Sequence, residues 1–60
     1  MNLVQLLGKG KVVIRRREED QEDLGLSNEF MEGFREGIAA LIAVLTGESA
    51  TDILEHLTDR

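Results

Sequence analysis

Apolar positions recur most regularly between residues 28 and 46. Phe30, Phe34, Ile38, Leu41 and Leu45, with Met31 and Ile42 beside them, follow the three-to-four-residue repeat of one helical face. Gly33, Gly37, Ala40 and Val44 form an adjacent stripe of smaller residues. Glu32, Arg35 and Glu36 hold the remaining face, but only in the first half; beyond Gly37 it carries Ala39 and Ala43. The C-terminal half is therefore apolar all round, the pattern of a helix that is covered on every side. Ser27 and Asn28 are suited to cap its start, Leu26 to staple onto Met31, and Gly47 to close its end.

A second, shorter helix is predicted over 49–58. Ala50, Ile53, Leu54 and Leu57 make a narrow apolar stripe, and Ser49-Ala50-Thr51-Asp52 resembles a capping box with Asp in place of Glu. At under three turns it must dock to persist. Upstream, residues 1–17 read as a β-hairpin with strands near 2–7 and 11–17. Val12, Val13 and Ile14 are three β-branched residues in a row, which favours strand. Gly8 and Gly10 flank Lys9 and offer the positive φ of a tight turn. Leu3, Val4, Leu6 and Leu7 would equally suit one turn of helix, because short apolar runs do not settle the type. Residues 18–27 read as an acidic connection. The expected fold class is α+β in a single small domain, 1–60: a hairpin, a long buried helix and a short helix.

Composition bears on assembly more than on chemistry. A chain of 60 residues buries only about 60% of its unfolded surface, and no Cys is present to staple it. Self-association is the remaining common source of stability, so a homo-oligomer is expected. Gly33 and Gly37 each cost about 1 kcal/mol of helix propensity, which points to a close approach of backbones there. The expected oligomer interface is Gly33, Gly37, Ile38, Ala40, Leu41, Val44 and Leu45. The longest strongly apolar run, Ile38 to Leu45, falls short of the roughly 20 residues of a membrane span. No basic stretch precedes the first apolar residues, so no signal peptide is expected and a cytoplasmic location is.

Charge is divided along the chain. Residues 1–17 hold Lys9, Lys11, Arg15, Arg16 and Arg17 and no acid; residues 18–60 hold all 12 acids against Arg35 and Arg60. The first segment is +5 and the rest -10. On a strand, Arg15 and Arg17 share one face. Lys9, Lys11 and Arg15–Arg17 are thus the candidate contact residues for a partner. That partner is the acidic segment of this or another copy, an acidic surface on another protein, or, less in keeping with the overall acidity, nucleic acid. With only two Phe as aromatics, there is no base-stacking platform.

Catalytic signals are sparse. His56, four residues after Asp52, lacks a Cys or Tyr partner, and Ser27 and Ser49 are occupied as caps. It reads as a surface imidazole near a helix C-terminus. Asp52 and His56 supply two metal ligands where structural zinc needs four. Gly8-Lys9-Gly10-Lys11 has the wrong spacing for a phosphate loop and lacks its Ser or Thr. Neither catalytic residue, cofactor nor metal is expected. A strand followed by two helices in a small dimer is similar in order to the ribbon-helix-helix repressors. Ser27 comes ten positions after Arg17, where those proteins have almost no connection, and only Gly47-Glu48-Ser49 echoes their inter-helix turn, so no membership follows. The expected function is a small non-enzymatic regulatory or adaptor protein working through protein contacts. The alternatives are a DNA-binding regulator using the basic hairpin, and a self-assembling structural protein.

Overall fold

A computed structural model describes residues 2–58. They form three helices: α1 (Leu3–Leu24), α2 (Asn28–Thr46) and α3 (Ala50–Thr58). There is no strand among the described residues. The expectation of an α+β fold with an N-terminal hairpin is therefore corrected to a small all-α bundle. The two strands near 2–7 and 11–17, and most of the acidic connection over 18–27, are one continuous helix of 22 residues.

The physical reason lies in a helical period that runs straight through both glycines. Leu3, Leu7, Gly10, Ile14, Arg17 and Gln21 fall on one side of α1 at 100° per residue. Gly10 and Ile14 are buried there, and Leu3, Leu7, Arg17 and Gln21 are half-buried. Among the described residues positive φ occurs only at Gly25 and Gly47, so Gly8 and Gly10 make no turn. Gly10 instead marks a close approach. A Cβ on it would stand 3.1 Å from Cδ2 of Leu57 and 3.2 Å from both Cγ2 of Ile38 and Cδ1 of Ile42. This tertiary contact outweighs the strand preference of Val12, Val13 and Ile14 and the helix cost of the two glycines.

Local signals fix the ends. Asn2 caps α1: its side chain accepts from the N–H of Gln5 at 2.9 Å, and the Gln5 side chain accepts from the N–H of Asn2 at 3.2 Å. At the other end Gly25 adopts φ 66°. The Leu26 N–H donates to the Gln21 carbonyl at 2.9 Å and the Gly25 N–H to the Glu22 carbonyl at 3.2 Å, the paired pattern of a Schellman turn. The Gln21 side chain then donates to the Leu26 carbonyl at 3.2 Å and to Oδ1 of Asn28 at 3.0 Å, tying α1 to the start of α2. Ser27 caps α2 through Oγ, which accepts from the Phe30 N–H at 3.0 Å, and Gly47 ends it at φ 77°.

α2 packs against both other helices, and α3 also reaches α1. Ile14, Ala39, Ile42, Ile53 and Leu57 form the buried centre, one residue from α1 and two each from α2 and α3. One ion pair is present among the described residues, Arg35 Nη2 to Glu18 Oε2 at 3.0 Å. Both side chains are substantially solvated, so Glu18→Gln is expected to cost no more than about 1 kcal/mol in chemical denaturation.

Candidate protein-interaction surface

The side of α2 turned away from α1 and α3 is apolar from end to end. At 100° per residue, Ala40, Gly33, Val44, Gly37, Phe30, Leu41, Phe34 and Leu45 fill an arc of about 140° without a polar residue. Val44 is 82% exposed, Leu45 63%, Leu41 57% and Phe30 46%, so most of this face is open in the single chain; Phe34, at its edge, is half-buried and packs against the core. Gly33, Gly37 and Ala40 are exposed within it. A Cβ at Gly33 or Gly37 would meet nothing within 4 Å, so neither glycine serves a close approach inside the chain. Of the seven residues expected at an interface, Ile38 alone turns inward, packing on the core beside Gly10. The Phe30 and Phe34 rings stack at 6.2 Å between centroids, giving the N-terminal end of the face a rigid aromatic step.

The two long borders of this face differ in charge. Along one run Glu29 and Glu36, both exposed, while exposed Glu32 lies further round α2, beside the cleft it shares with Leu54, Glu55 and Thr58. Along the other lies α1, whose Arg17 guanidinium carbon stands 5.7 Å from the centre of the Phe34 ring. That cation–π contact fixes Arg17 at the level of Phe34.

The basic residues do not share one surface. Helical rather than strand geometry sends Lys11 and Arg15 to one side of α1 and Lys9 and Arg16 to the opposite side, with Arg17 against α2. A single-faced basic ribbon is thus corrected to three separate placements, and the idea of DNA contact through a hairpin loses its hairpin. Lys11 and Arg15 join Glu18 and Arg35 around an open cleft of about 530 Å³ floored by Ile14 and Leu57. Five cations in Lys9–Arg17 are followed on the same helix by five acids in Glu18–Asp23. Acids at the C-terminal end of a helix oppose its dipole, and no basic residue occupies that last turn.

Elsewhere the chemistry is thin. His56 is exposed in the last turn of α3. No three His, Asp or Glu side chains converge among the described residues. No helix there is long and apolar enough to cross a membrane. Comparison with known proteins assigns no family: no protein-family model, no curated protein and no solved structure matches this chain.

Proposed function

We propose that this chain is a small non-enzymatic regulatory or adaptor protein that acts through protein–protein contacts as a homo-oligomer. One observation carries the reading: the uninterrupted apolar face of α2, with Leu41, Val44 and Leu45 all more than half exposed. Scattered surface hydrophobes are ordinary, but a contiguous apolar stripe along a whole helix marks a contact surface. Its mixed relief favours a protein partner. Small residues at Gly33, Gly37 and Ala40 leave a shallow groove beside the ridge of Phe30, Leu41 and Leu45. A ridge next to a groove on one helix fits a like helix.

Sedimentation equilibrium tests this. At micromolar concentration the wild-type mass is expected to exceed the 6.7 kDa of one chain. Val44→Lys puts a charge in the middle of the face and should shift the protein to 6.7 kDa. Helix content should not change, because Val44 contributes nothing to the core. A wild-type chain that sediments as a monomer throughout overturns the proposal.

A further inference from the structure

The open face of α2 continues onto α1. Arg17 marks the junction, since its guanidinium carbon lies 5.7 Å from the centre of the Phe34 ring. Lys11 and Arg15, on the other side of α1, line the cleft with Leu57 and Thr58 of α3. At 100° per residue Leu6, Val13 and Leu24 fall within about 40° of Arg17, turned away from Lys11 and Arg15. With Arg17 they form one row along the seam between α1 and α2, each following the last by seven, four and seven residues, the repeat of a helix-bundle core line. Leu6 is half-buried, but Val13 is 44% and Leu24 57% exposed. Among the described residues eight large apolar side chains are exposed, and six of them lie on this one side of the α1–α2 pair: Val13, Leu24, Phe30, Leu41, Val44 and Leu45. Val4 and Val12 point elsewhere, and α3, packed on the opposite side, contributes none. Exposed charge rims the platform, with Lys9, Arg16 and Asp20 on α1 and Glu29 and Glu36 on α2.

The chain exposes 4501 Å². A compact monomer of 6.7 kDa exposes about 3,900 Å². Two copies that each cover the surplus of about 600 Å² bury about 1,200 Å² between them, the threshold of a stable interface. We infer that the platform is covered by the same platform of a second copy, giving a four-helix bundle of α1 and α2 from each chain with both α3 helices outside. The inference rests on the homo-oligomeric reading above and adds which helices meet and how many copies take part. Two layers of two helices enclose one core, and each layer brings its own half: Val13 and Leu24 from α1, and Phe30, Leu41 and Leu45 from α2. The α1 row is covered whichever way the two α2 helices run, because it lies in the seam of its own layer. α1 is therefore part of the interface rather than a support behind it.

Two neighbouring valines of α1 decide it. Val12 is 50% and Val13 44% exposed, but Val12 lies about 140° round the helix from Arg17, on the outer side of α1. In sedimentation equilibrium of the full chain, the wild type is expected at twice 6.7 kDa. Val13→Lys places an unpaired charge in the four-helix core and should weaken dimerisation roughly tenfold or more. Val12→Lys should leave it unchanged. Leu24→Lys, at the turn end of the row, should act as Val13→Lys does. Circular dichroism checks that each variant keeps its helix content, and if Val13→Lys loses it, Leu24→Lys decides alone. A dimeric wild type whose folded Val13→Lys and Leu24→Lys variants associate as tightly as it does confines the contact to α2. That result overturns the four-helix bundle and leaves the homo-oligomeric reading standing. So does a Val12→Lys variant as weakened as Val13→Lys, or a wild type of three or more copies. A wild-type monomer overturns both.

Discussion

Gly10→Leu is expected to destabilise the bundle by about 3 kcal/mol, the upper end for overpacking a core, while Gly8→Ala two positions away stabilises it. The two glycines share a helix and face opposite environments. Gly10 is buried, and even a Cβ there would press on Leu57, Ile38 and Ile42 at 3.1–3.2 Å. A leucine adds three further carbons in that space, so α1 must lift from α2 and α3 together. Gly8 is exposed, and a Cβ there meets nothing within 4 Å. Alanine then gains helix propensity, up to about 1 kcal/mol, at no steric cost. A domain of this size has a total stability of only about 3–9 kcal/mol, so the first change removes a large part of it. Urea denaturation followed by circular dichroism at fixed protein concentration reads both signs. A Gly10→Leu protein as stable as wild type would show that the three helices do not meet at this point.

The same two glycines explain where reading the sequence went astray. Gly-Lys-Gly followed by Val-Val-Ile carries the local marks of a turn and a strand, and nothing local says that Gly10 will be pressed against Leu57, which is 47 positions away. Two signals did point to helix. Asn2 and Gln5 stand at capping-box spacing, and the period of Leu3, Leu7, Gly10 and Ile14 survives the glycines. Their weight was hidden because Arg17 and Gln21, which continue the stripe, are polar. Each is half-buried for its own reason, one over the Phe34 ring and the other bonded to Leu26 and Asn28. The acidic residues Glu18–Asp23 are exposed, apart from half-buried Gln21 within the run, but solvation did not imply an irregular backbone. In the region of α2 the apolar period is strong enough to be read alone, as are the Ser27 and Gly47 caps. What periodicity could not separate was the inward side, Met31, Ala39 and Ile42, from the outward side, Leu41, Val44 and Leu45. Both are apolar, and only the placement of α1 and α3 decides which is covered. The borders of the outward face were beyond reach for the same reason, since Arg17 reaches Phe34 only once α1 is a helix.

Ile53→Ala should cost about 2–5 kcal/mol, the range for truncating a fully buried aliphatic side chain. Ile53 is 1% exposed and stands in the centre with Ile14, Ala39, Ile42 and Leu57. The loss is amplified by the length of α3. Nine residues make a helix that does not persist unsupported in water, so its structure depends on the docking that Ile53 and Leu57 provide. Once α3 loosens, Leu57 withdraws from Gly10, and α1 loses one of the three side chains it rests on there. The effect should therefore spread to the whole bundle rather than fray one end. Urea unfolding should show a lower midpoint with an unchanged slope, the mark of lower stability with the same surface exposed. Thr51→Ala, at an exposed position on the same helix, is the control and should move the midpoint little. A shallower slope with only a small loss of helical signal would mean that α3 melts alone. In that case α1 and α2 hold each other without it, and the third helix is an appendage instead of a wall of the core.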